Sequence, residues 1–124
     1  MPVLERYVTE VTAVGPLFPE FREHGLVILF GETAPEELRE FVVQHRPVVA
    51  DSAPQPGDVL ELAGEQFAVT AVGDAVHENL LRLGHVSVKA DANTSPPLPG
   101  DVCVEAKPLP DLEPGSIVRI LSRA

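Results

Sequence analysis

Residues 56–72, Pro56-Gly57-Asp58-Val59-Leu60-Glu61-Leu62-Ala63-Gly64-Glu65-Gln66-Phe67-Ala68-Val69-Thr70-Ala71-Val72, decide the fold class. Two β-prone runs, 59–62 and 66–72, flank Ala63-Gly64-Glu65, a connection of hairpin length that contains a glycine. Pro56-Gly57-Asp58 stands in front of the first run. Proline presets φ and glycine accepts φ > 0, which suits a type II turn feeding a strand. The pattern returns as Pro99-Gly100-Asp101-Val102 and Pro114-Gly115-Ser116-Ile117. Its spacing is uneven, so the three copies read as turn chemistry and not as repeats of a solenoid.

Working outward, Val8, Val11 and Val14 with Thr9 and Thr12 form an opening β-rich segment that ends at Gly15-Pro16. Leu26-Val27-Ile28-Leu29-Phe30 is a continuous apolar run, as in a strand covered on both faces. Val86–Lys89, Val102–Glu105 and Ile117–Leu121 complete the set. The expected fold is mainly β: a small antiparallel β-barrel or sandwich with one or two short helices, residues 1–124 forming one domain. Thr33-Ala34-Pro35-Glu36 has the form of a capping box opening one helix. A second is expected from an Asp74 cap to a Gly84 stop, with Val76, Leu80 and Leu83 on its buried stripe. Residues 21–25 and 91–99 read as loops.

Composition excludes several functions. Lys plus Arg number 9 and Asp plus Glu 19, a net charge of −10, so the clustered cations that bind nucleic acid or an anionic membrane are missing. Apolar residues make up 44% of the chain, too many for a disordered acidic tail. Met1-Pro2-Val3-Leu4-Glu5-Arg6 lacks the basic-then-apolar form of a secretory leader, and no run approaches a membrane span. The single Cys103, between Val102 and Val104, reads as a small buried hydrophobe in a reducing cytoplasm. No cofactor is implied, since Walker, GxGxxG, CxxC, HExxH and GxSxG motifs are all absent.

Four histidines remain. His45 lies on the apolar side whether its segment is extended, with Phe41, Val43, Pro47 and Val49, or helical, with Leu38, Phe41 and Val42. Such a ring is either a hydrogen-bonded core histidine or a neutral nucleophile. His85 alternates with Val86 and Val88 and so faces solvent with Ser87 and Lys89. His77 falls in the first turn of a helix and His24 in a loop. His77 and His85 alone make a weak metal site, without a third ligand nearby.

The order Val69-Thr70-Ala71-Val72-Gly73, Asn79-Leu80 and Leu83-Gly84-His85-Val86 resembles the glucitol/sorbitol-specific IIA component of the bacterial phosphoenolpyruvate-dependent sugar phosphotransferase system. Ala34-Pro35 with Leu38, the histidine after Phe41-Val42-Val43-Gln44, and Pro114-Gly115-Ser116 support the match across nearly the whole chain. The resemblance implies a cytoplasmic phosphocarrier of small β-barrel fold, with a strand-exchanging homodimer among its arrangements. It places the phosphoacceptor on His45, the carrier HPr as donor, and the IIB/IIC permease components as acceptor. His85, Thr70 and Arg46 are the implied candidates to orient the ring or the phosphoryl group. Two positions depart from the family pattern. Pro47 stands where a second histidine is usual, and Gln44 where an apolar residue is usual. A regulatory or adaptor module of the same fold, without phosphotransfer, is the alternative.

Overall fold

The computed structural model describes residues 3–122. Met1 and Pro2, part of the stretch read above as lacking a leader, lie outside the described residues. Eight strands close into a barrel: β1 (Glu5–Val14), β2 (Leu26–Gly31), β3 (Val43–Ala50), β4 (Val59–Leu62), β5 (Glu65–Val72), β6 (Val86–Lys89), β7 (Asp101–Val104) and β8 (Ile117–Leu121). Helix α1 (Phe18–Glu23) precedes β2, and α2 (Val76–Leu83) precedes β6. Around the barrel the order is β1-β3-β2-β6-β7-β5-β4-β8. The β4–β5 hairpin turns at Ala63-Gly64, both at positive φ. Every pairing is antiparallel except two: β2 with β3 and β6 with β7 are parallel. Parallel neighbours need a crossover, and these use segments 32–42 and 90–100.

The barrel has an internal pseudo-two-fold symmetry that the uneven turn spacing conceals. The order β1-α1-β2-β3-β4 repeats as β5-α2-β6-β7-β8, and the ring of strands maps onto itself under that exchange. Register obeys it too. Val11, Ala13 and Val14 oppose His45, Gln44 and Val43, while Val69, Ala71 and Val72 oppose Val104, Cys103 and Val102, with a shift at the same place in each. The sequence carries the trace as Val11-Thr12-Ala13-Val14-Gly15 and Val69-Thr70-Ala71-Val72-Gly73. Both closing glycines are forced by close approach. A Cβ on Gly15 would lie 2.4 Å from the Arg39 and Glu40 carbonyl oxygens, and one on Gly73 would lie 2.1 Å from that of Pro99.

The first and third Pro-Gly turns are two-fold mates, with Gly57 at φ 92° and Gly115 at φ 96° as a type II turn needs. The Pro99-Gly100 turn belongs to a crossover and departs from the type II expectation, because Gly100 is not at positive φ. In all three turns the residue after glycine caps the chain three residues earlier. Asp58 accepts from the Gln55 N–H, Asp101 from Leu98 and Ser116 from Glu113. The two aspartates are buried, and each contacts a cation: Arg6 at 2.8 Å for Asp58, Lys89 at 2.8 Å for Asp101.

Inward-facing side chains of all eight strands fill the barrel, with Val11, Val27, Val43, Leu60, Phe67, Val88, Val102 and Val118 at its centre. Phe18 and Val76, matched at the first position of each helix, plug into this core.

Several local expectations change. Thr33-Ala34-Pro35-Glu36 opens only a 3-10 turn, Glu36–Leu38, without a side-chain cap, because extended β3 takes over a few residues later. Segment 21–25 is not a loop: Phe21 to Glu23 end α1. The cap of α2 is Ala75 and not Asp74; its N–H bonds the Pro99 carbonyl, so tertiary contact replaces the side-chain cap. Gly84 does stop α2 in the left-handed region at φ 64°. Leu83 is 43% exposed, leaving Val76 and Leu80 as the buried stripe.

Candidate functional site

His45 lies on β3 among inward-facing residues and is fully buried. Tyr7, Thr9 and Val11 alternate inward along β1, and β1 pairs with β3, so Thr9 reaches the imidazole. Thr9 Oγ1 is 2.5 Å from His45 Nδ1. On the other side of the ring, the Gly84 carbonyl oxygen is 2.6 Å from Nε2. A carbonyl only accepts, so Nε2 carries the proton and donates it to Gly84. The lone pair of a neutral ring is then on Nδ1, and the Thr9 hydroxyl donates to it. Burial lowers the His45 pKa; the Gly84 bond and the Glu32 charge oppose this without reversing it. The ring is therefore held neutral, in one tautomer.

Glycine makes the closure over Nε2 feasible. A Cβ on Gly84 would lie 2.9 Å from the Gly31 nitrogen and 3.1 Å from Nε2, and one on Gly31 would lie 2.8 Å from the Leu83 carbonyl oxygen. Tyr7 meets the imidazole edge-on, with ring centroids 6.2 Å apart. Among the described residues its buried hydroxyl has no hydrogen-bond partner, and burial pushes its pKa up to about 12.

The other residues singled out from sequence sit around this centre unevenly. His85 follows Gly84, and its half-buried ring lies on Phe30, centroids 5.0 Å apart, not on His45. Burial lowers its pKa, and the Asp101 charge pulls the other way. Arg46 points out of the barrel and forms a two-pronged pair with Glu32, at 2.9 and 3.1 Å. That bond holds the Glu32 carboxyl below its usual range. Thr70 is not brought to His45: its hydroxyl donates to the Asn93 carbonyl from β5, which does not neighbour β3. Cys103 is buried, and burial pushes its thiol up to about 11, so it stays protonated. Among the described residues no three His, Cys, Asp or Glu side chains group as metal ligands.

Sequence reading missed both partners of His45. Thr9 was visible only as a β-former, and Gly84 only as a helix stop; nothing local connects either to residue 45. The two contacts span 36 and 39 residues of chain.

Residues 6–119 match a family profile described as PTS system glucitol/sorbitol-specific IIA component. The chain belongs to that family. It is 34% identical, over 94% of both chains, to the PTS system glucitol/sorbitol-specific EIIA component of Shigella flexneri, and equally to that of Escherichia coli K12. The fold also matches the crystal structure of a PTS system IIA component from Enterococcus faecalis V583, with TM-score 0.77 and 24% identity. That match covers 92% of this chain and 98% of the other. Among the described residues of this IIA-family chain, no helix is long and apolar enough to cross a membrane.

Proposed function

We propose that this chain is a cytoplasmic phosphocarrier in which His45 accepts a phosphoryl group from phosphorylated HPr. The group then passes to the IIB component of a IIB/IIC permease, for uptake of glucitol/sorbitol or a related polyol. The observation that carries this reading is the neutral, doubly anchored imidazole of His45. A phosphoryl acceptor needs an unprotonated nitrogen held in one orientation, and catalysis of such transfers is mostly positioning.

Nε2 is the reactive atom in this scheme, because its cover is a helix-to-strand corner, whereas Nδ1 faces a strand paired on both edges. The Nε2 proton leaves to solvent as Nδ1 takes one up. Thr9 Oγ1 then accepts from Nδ1–H where before it donated, a change only a hydroxyl can follow. The Nε2 lone pair attacks phosphorus while the donor's N–P bond breaks and its electron pair returns to the donor ring. Transfer to IIB reverses these roles. Arg46, exposed and tied to Glu32, and His85, half-buried and tilted against Phe30, serve the encounter more than the ring.

Phosphoenolpyruvate, HPr and its upstream kinase should label the wild type at one site and leave His45→Ala unlabelled; equal labelling of both ends this reading. The net charge of −10 suits a donor with a basic rim, so labelling should slow as salt rises. The closed state of His45 also favours a second reading, an adaptor module without phosphotransfer. An intact chain that binds HPr but is never labelled would establish it.

A further inference from the structure

The Gly84 corner has a two-fold mate, the Gly25 corner at the end of α1, and the two use their carbonyls differently. Both glycines stop a helix at positive φ, Gly25 at 74° and Gly84 at 64°. The register that pairs Val27 with Val88 and Leu29 with Val86 puts Gly25 opposite Ala90 and Gly31 opposite Gly84. At the first position the ladder bond is made: Ala90 N–H donates to the Gly25 carbonyl at 2.9 Å. At the second, the Gly84 carbonyl instead takes the Nε2–H of His45. The residue that matches His45 in the other half is Val104, which has no proton to offer. Gly31 nitrogen is nevertheless beside the corner, 2.9 Å from where a Gly84 Cβ would stand.

We propose that the Gly84 corner is a two-position latch. Closed, its carbonyl caps His45 Nε2; open, it moves to the Gly31 N–H, completes the ladder as Gly25 does with Ala90, and uncovers Nε2. Each position satisfies the carbonyl with one hydrogen bond, so the exchange leaves no buried acceptor unpaired. The purpose of the latch rests on the reading of His45 as phosphoryl acceptor: it keeps water from the nitrogen until a partner displaces the corner. His85, next in the chain and tilted against Phe30, is the side chain such a shift would carry along.

The test replaces the hydrogen-bond donor by the residue found at the mate position, His45→Val, and follows amide exchange by NMR in the full chain. Without a donor at 45 the latch should rest open, and Gly31 N–H exchange should slow about tenfold or more against wild type, with Ala90 unchanged. Equal Gly31 exchange in the two proteins overturns the proposal. If the variant does not fold, diethyl pyrocarbonate on the wild type decides. His45 should react about tenfold or more slowly than exposed His24, and its modification should protect Gly31 N–H. Comparable rates for the two histidines, or a Gly31 amide unmoved by modification, overturn it. Neither arm uses phosphotransfer, so failure of the labelling experiment with His45→Ala is distinguishable from failure of the latch.

Discussion

Thr9 Oγ1 and His45 Nδ1 are 2.5 Å apart inside the barrel, both side chains fully buried, on adjacent antiparallel strands. With Nε2–H committed to the Gly84 carbonyl, the hydroxyl is the donor in this pair. Thr9→Val keeps the shape and strands a buried ring nitrogen. It should cost about 1–3 kcal/mol in denaturant unfolding. On the proposed function, labelling from phosphorylated HPr should fall more steeply than HPr binding. Thr9→Ser, which keeps the hydroxyl, should restore the rate.

Acid should destabilise the fold through its histidines before the carboxylates titrate. His45 and His85 both have lowered pKa values, chiefly from burial, so the folded chain binds fewer protons than the unfolded one below about pH 6.5. Stability is therefore full above that pH and lost as pH falls. For His45 the slope approaches about 1.4 kcal/mol per pH unit. Urea unfolding of wild type and His45→Val between pH 7 and pH 5 should show a shallower slope in the variant; parallel slopes would refute this.

Tyr7 is the chain's one tyrosine, and there is no tryptophan, so ultraviolet titration near the phenolate band reads it alone. Its buried hydroxyl without a partner should not ionise until about pH 12 unless the protein unfolds first. Tyr7→Phe removes an unsatisfied polar atom and should hold or raise the melting temperature. A loss above about 1 kcal/mol would mean that the hydroxyl has a partner after all.

Arg6 Nε meets Asp58 Oδ2 at 2.8 Å as a charge contact without an aligned N–H, and Asp58 also accepts from Gln55. Breaking this buried pair with Asp58→Ala should cost about 3–5 kcal/mol. Asp58→Ser keeps an acceptor for the turn, as Ser116 does in the mate turn, and should recover only the capping share. Chemical denaturation of both variants separates ion pair from cap.

The amino-acid sequence by itself determined the β character, the Pro-Gly turns before strands, the Gly84 stop and the inward side of His45. All are short-range consequences of φ preference and side-chain alternation within one segment. It also carried the family, through spaced motifs. Tertiary structure alone decided the rest. Two pairings became parallel because the strands meet through long crossovers, and the duplicated half-barrel emerged only when register aligned Val11 with Val69 and His45 with Val104. Thr33 and Asp74 were plausible caps that lost to contacts from elsewhere in the chain. Thr70, carried over by resemblance, ends on the Asn93 carbonyl, while Thr9, unremarked in sequence, holds the imidazole. The reason is common to all of these: a side chain's partner across a barrel depends on strand order and register, and neither is written in any local window.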